Sequence, residues 1–229
     1  MWNQKINNVP EAIGCVRFKT DHGVYVFSEG DTKVFIALYM DVLLMVWKGG
    51  EVLEMVKRSL QERYEMKDLG TATFLLGVEL RRHERGDLLL VQHKYASELV
   101  YIFGMGDSLA ISTPFEPKNH LGLEGCPKIE GERATMEGIS YTPLAGSLMY
   151  LAIYTRSDLA MGVSTLSRFC QDPGMVHWEA AKRLLRYVKG SGGDGLLYCK
   201  GGDVELWGYN DASYGIDLET KRGAPGLLL

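Results

Sequence analysis

Fourteen residues from Val34 to Trp47 are apolar or aromatic at every position but one. The exception is Asp41, in Tyr39-Met40-Asp41-Val42. A carboxylate buried in hydrocarbon is costly unless it is protonated, paired or bound to a metal. The run therefore reads as two apolar strands about a charged residue whose expected chemistry is holding a divalent cation, with a plain hairpin-tip residue as the rival reading. Fourteen residues with a charge inside are too few for a membrane span, which needs roughly 20 apolar residues.

Strand and helix signals extend from this run in both directions. Val24 to Phe27 and Lys33 to Tyr39 flank the turn Glu29-Gly30-Asp31, and Leu43 to Trp47 is the third strand. Val52, Val56, Leu60 and Tyr64 recur at helical spacing over 51–64. Thr71 to Arg82 reads as one strand, turning at Glu84 to Asp87 into Leu88 to Val91. His93 to Phe103 reads as a helix ending at Gly104. Residues 112–138, rich in Gly, Pro and charge, read as an extended loop or linker. Helices are predicted over Tyr141 to Tyr150, Ser157 to Phe169 and Met175 to Lys189, and strands at Gly195 to Tyr198 and Val204 to Tyr209. In the third helix Trp178, Ala181, Leu184, Leu185 and Val188 share one side, and Lys182, Arg186 and Lys189 the other.

At 229 residues, 46% hydrophobic and 24% charged, the chain has the composition of a soluble globular protein of one or two domains. A net charge of -4 counts against strong free-standing nucleic-acid binding. Cys15, Cys126, Cys170 and Cys199 form no Cys-X-X-Cys pair and the five histidines no zinc spacing, so reduced intracellular thiols are expected. The N-terminus has no apolar signal core. Met1 to Ile6 does not resemble a domain start, and Gly226 to Leu229 reads as a strand cut midway and left unpaired. Both suggest a piece of something longer.

Eight blocks in order resemble the Pol polyprotein of copia-type retrotransposons. They are Met66-Lys67-Asp68-Leu69-Gly70; Phe74 to Glu79; Ser112-Thr113-Pro114; Gly146 to Leu151; Thr155-Arg156-Ser157-Asp158; Leu166 to Phe169; His177 to Tyr187; and Gly208 to Tyr214, and ahead of them Tyr39 to Val42 resembles the Tyr-X-Asp-Asp hairpin of reverse transcriptases. The resemblance covers nearly the whole chain. It implies an α+β fold: a partial reverse-transcriptase palm over 1–92, an antiparallel sheet with helices on one face; a mainly helical thumb and connection over 93–200; and an incomplete RNase H-like sheet over 201–229.

The implied activity is RNA-directed DNA synthesis with coupled RNase H cleavage, using Mg²⁺ or Mn²⁺. The implied partners are an RNA/DNA template–primer duplex, a deoxynucleoside triphosphate and a longer Pol chain. The implied location is a cytoplasmic particle or the nucleus, with no membrane. Asp41 and Asp211 stand where the family has metal-binding catalytic aspartates, and Phe74-Leu75-Leu76-Gly77 where it has its primer grip. Tyr39 and Met40 lie beside that hairpin, and Tyr39 reads equally as an ordinary strand aromatic. Arg81 and Arg82, with His83 and Arg85, are candidates for primer or template contact. Lys182, Arg183, Arg186 and Lys189 are candidates for a phosphate backbone, with a solvated helix face as the rival. His177 and Trp178 read as helix N-terminal packing.

Two departures from the family pattern bear on activity. The hairpin's second aspartate is replaced by Val42, and the family's upstream strand aspartate has no counterpart. A two-metal transfer needs several converging carboxylates. No polymerase activity is therefore expected from this chain alone. Gly223-Ala224-Pro225-Gly226 also departs from the family's Ser/Thr-rich turn, with a proline in what should be a paired strand. The alternatives are a non-catalytic nucleic-acid-binding or interaction remnant and a subunit completed by a longer Pol chain.

Overall fold

The computed structural model describes residues 13–48, 51–115, 121–201 and 208, and the backbone of 209–213 and 224–228. The chain divides into two units, Met1–Ala72 and Thr73–Leu229, each with its own core.

The first unit is an antiparallel meander. Strands β1 (Val16–Arg17), β2 (Val24–Glu29), β3 (Thr32–Tyr39) and β4 (Val42–Trp47) pair in sequence order. Alternation fixes the faces: Val34 and Ile36 are buried, while Phe35 between them is exposed. Tyr25 lies opposite Ile36 and is also buried. Helix α1 (Val52–Gln61) closes this face with Leu53, Val56 and Leu60, three residues at helical spacing. Glu29 pairs with Thr32 around Gly30, whose positive φ suits a two-residue hairpin turn.

The second unit is mixed. Strands β5 (Phe74–Leu75), β6 (Val78–Arg82), β7 (Leu88–Val91) and β8 (Gly195–Tyr198) form an antiparallel sheet in that order. The stretch expected as one strand over 71–82 is therefore a hairpin. Leu75 pairs with Val78 across Leu76 and Gly77, both at positive φ. Strand β8 follows far along the chain and lies beside β7, with Gly195 opposite Val91. A Cβ at Gly195 would stand 2.1 Å from the Leu90 carbonyl oxygen, so this approach requires glycine.

The helices are α2 (His93–Ile102), α3 (Glu130–Met136), α4 (Tyr141–Tyr154), α5 (Ala160–Ser167) and α6 (Met175–Gly190). Helix α3 and a 3₁₀ turn at Leu123–Gly125 lie inside the stretch expected as loop. Helix α3 buries no residue, so it leaves no core-facing signal in the sequence. The core is built from Leu99, Leu144, Leu148, Leu151, Leu166, Leu184, Leu185 and their neighbours. His177 serves the start of α6, as expected. Its Nδ1 accepts the Gly174 N–H at 2.9 Å, its Nε2 is 3.2 Å from the Gly122 carbonyl, and its ring stacks on Phe169. The neutral tautomer with hydrogen on Nε2 satisfies both bonds.

The last two strands are β9 (Tyr209–Ser213) and β10 (Ala224–Leu228). They pair antiparallel, with Leu227 opposite Asn210 and Leu228 opposite Tyr209. Residues 227 and 228 are thus paired, against the expectation for the chain's end. Pro225 takes a place in the ladder opposite Ala212. The strand expected at Val204 to Tyr209 lies outside the described residues except for Gly208 and Tyr209. None of the four cysteines, all among the described residues, is in a disulfide. No helix among the described residues is long and apolar enough to cross a membrane.

Candidate catalytic hairpin and nucleic-acid interface

Strands β3 and β4 run apolar up to the pair Tyr39↔Val42, leaving Met40 and Asp41 as a two-residue loop. Met40 carries a positive φ, uncommon for a residue with a side chain. Asp41 is exposed, as are Tyr39, Met40 and Val42. Burial of the Asp41 carboxylate, expected from its apolar neighbours in sequence, is therefore corrected. A two-residue loop puts the carboxylate beyond the last paired side chains, in water, where it has no desolvation cost to offset. The tetrad supplies this one carboxylate, and an exposed valine follows it.

In the second unit Arg81 is held by Glu79. Nη2 lies 2.6 Å and Nε 3.1 Å from Glu79 Oε2, while Oε1 accepts the Lys94 N–H at the start of α2 at 2.9 Å. Burial alone would raise the Glu79 pKa. These hydrogen bonds outweigh it and hold the carboxyl below its ordinary range. Arg82 is exposed beside the turn that leads to Leu88. Glu79 and Arg81 stand two apart on one strand face, a signal the sequence carried. Phe74 is exposed, and Leu76 and Gly77 form the β5–β6 turn.

The cations of α6 bond within the chain itself, two of them to its backbone. Arg186 Nε donates to the Leu109 carbonyl at 2.7 Å, and Lys189 Nζ to Ser108 at 2.6 Å and to Gly106. Arg183 Nη2 donates to Thr113 Oγ1 at 3.1 Å. Lys182 pairs with Glu179 at 2.7 Å and lies over the Trp178 ring. Arg183, Arg186 and Lys189 together fasten segment 106–113 along the helix. Beside it lies an open groove of ≈ 680 Å³ lined by Met105, Leu109, Met175, Val176, Lys182 and Arg186, among others. Asp211 sits mid-strand in β9, opposite Gly226. Asp41 belongs to the first unit and Asp211 to the second.

Two arrangements lie within blocks of the resemblance, yet their contacts were not expected from the sequence. Arg156, only 3% exposed, grips Asp158 through two nitrogens at 2.9 and 2.7 Å, and donates to the carbonyl and hydroxyl of Ser191. Tyr150 donates its hydroxyl to the Leu76 carbonyl. Asp158 is two residues from Arg156, but Ser191 and Leu76 lie 35 and 74 residues from their donors, beyond the reach of local periodicity.

The model of the family described as reverse transcriptase (RNA-dependent DNA polymerase) matches residues 1–117. A putative transposon Ty5-1 protein of Saccharomyces cerevisiae is 32% identical over the whole chain, which covers 73% of it. This chain belongs to the copia-type reverse transcriptase family. The Pol polyprotein from transposon TNT 1-94 of Nicotiana tabacum is 34% identical over 99% of the chain, and that from transposon RE1 of Arabidopsis thaliana 30% over all of it. The chain spans 17% and 15% of those two polyproteins. No solved structure matches it.

Proposed function

We propose that this copia-type chain is a catalytically inactive remnant of an RNA-directed DNA polymerase that retains sequence-independent contact with a template–primer duplex. The observation that carries the reading is the β3–β4 tip: one exposed carboxylate, Asp41, with Val42 in place of its partner. Two Mg²⁺ or Mn²⁺ ions and a triphosphate need several converging oxygen ligands. A lone aspartate followed by valine does not fit that demand, and no catalytic step is derived through the metals.

Under this reading residues 1–92 correspond to part of a palm, 93–200 to thumb and connection, and 201–229 to the start of RNase H, with Asp211 an ancestral ligand. Phe74 to Gly77, Tyr39, Met40, Arg81 and Arg82 provide duplex contact. The positive charges of Lys182, Arg183, Arg186 and Lys189 add a phosphate attraction that weakens with salt. A second reading, completion by a longer Pol chain, is favoured by the 17% span of the tobacco polyprotein.

Primer extension on poly(rA)/oligo(dT) with Mg²⁺ or Mn²⁺ tests both, with gel-shift binding in the same samples. The purified chain, Asp41→Asn and Val42→Asp are each expected to bind duplex and extend nothing. Extension that vanishes in Asp41→Asn would show a working site. Absence of duplex binding in all three would overturn the binding half of the proposal.

A further inference from the structure

Two blocks of the family resemblance meet in the second unit. Leu76 and Gly77 form the β5–β6 turn, and Tyr150 of α4 reaches it from 74 residues away. We propose that Tyr150 is the positioning residue for this turn, and through it for the nucleic-acid contact assigned above to Phe74–Gly77. The second half of this inference rests on that assignment.

The turn has little to hold it in place by itself. Strand β5 contributes two residues, and the hairpin has two pairs, Phe74↔Glu79 and Leu75↔Val78. Strand β7 supports β6 from its other side, but β5 is the edge of the sheet, with no further strand beside it among the described residues. Both turn residues lie in the left-handed region, Leu76 at φ 48° and Gly77 at φ 74°. A leucine there is sterically disfavoured, so the turn opposes its own conformation unless an outside contact fixes it.

Tyr150 supplies that contact from a rigid base. Its helix anchors Leu144, Leu148 and Leu151 in the core. Its ring packs edge-on against Tyr95 at 5.2 Å and tilted against Tyr154 at 4.7 Å between centroids. The hydroxyl is thereby aimed at the Leu76 carbonyl, an acceptor that the two-residue turn leaves outside the β5–β6 ladder. Gly77 makes room for it: a Cβ there would stand 3.2 Å from the Tyr150 oxygen. The outcome is a fixed presentation of Phe74, 54% exposed at the start of the hairpin.

The test uses the full chain, Tyr150→Phe, which keeps the ring stack and removes only the hydroxyl, and Phe74→Ala. Three quantities are read: the thermal midpoint, the Gly77 amide signal with its hydrogen-exchange rate, and the Kd for a fluorescein-labelled RNA/DNA primer–template duplex. Tyr150→Phe is expected to shift the Gly77 amide, speed its exchange and weaken duplex binding about fivefold, the factor equivalent to one net hydrogen bond. The thermal midpoint should fall by a few degrees at most. Phe74→Ala should weaken binding similarly while leaving Gly77 protected.

An unmoved Gly77 amide in Tyr150→Phe would overturn the proposal outright. A Gly77 amide that moves while duplex affinity stays constant, with Phe74→Ala still weakening binding, would reduce Tyr150 to a structural latch. Unchanged affinity in Phe74→Ala would instead sink the assignment of Phe74–Gly77 to nucleic acid, and the functional half of the proposal with it.

Discussion

Asp41 shows how a single residue's neighbours in sequence can misstate its surroundings. Thirteen apolar neighbours suggested a buried charge, and a two-residue turn exposed it. Cys15 is the opposite case, an ionisable thiol that the fold does bury. Burial pushes its thiol up to about 11. At pH 8 roughly one molecule in a thousand then carries the reactive thiolate. Brief iodoacetamide treatment of the native chain at pH 8, followed by peptide mapping, should label exposed Cys199 and leave Cys15 unmodified. Equal labelling of the two would mean that Cys15 is not enclosed by the first core.

At the scale of elements, helix termini are tied by polar groups. Thr155, closing α4, donates to Gln92 Oε1 at 2.9 Å, just before α2. The next residue, Arg156, joins the start of the α5 region to the end of α6 through Asp158, Tyr187 and Ser191. Burial works against the Asp158 carboxylate, yet the bonds from Arg156 and Tyr187 outweigh it and lower its pKa. A group whose folded pKa is depressed stabilises above its unfolded pKa and loses that contribution as pH falls through the folded one. Asp158→Asn should cost about 2 kcal/mol at pH 7, less than a fully buried pair because water screens the carboxylate. Urea titrations from pH 7 to pH 3 should show the gap between variant and parent narrowing below the ordinary value of 3.8. A gap of constant size across that range would rule the ion pair out as its source.

At the scale of the molecule, the two cores share no residue: Cys15 to Leu60 build one, Ala96 to Val188 the other. Leu148→Ala, deleting a fully buried side chain, should cost about 2–5 kcal/mol. Hydrogen exchange should quicken in α4, α5 and α6 and stay unchanged at Tyr25, Val34 and Ile36. Faster exchange in both sets would mean that the units unfold as one. What the sequence by itself determined was local: the β2–β3–β4 meander, the amphipathic faces of α1 and α6, and the ordered blocks that carry the family. Side-chain alternation and helical spacing arise within a few residues of one another, so they can be read before folding. The tertiary structure alone decided that Gly195 to Tyr198 completes the 74–91 sheet, that Leu76–Gly77 turns under Tyr150, and that the α6 cations fasten segment 106–113. Each of these depends on a carbonyl or strand edge brought in from far along the chain, and neither has a pattern that marks its partner.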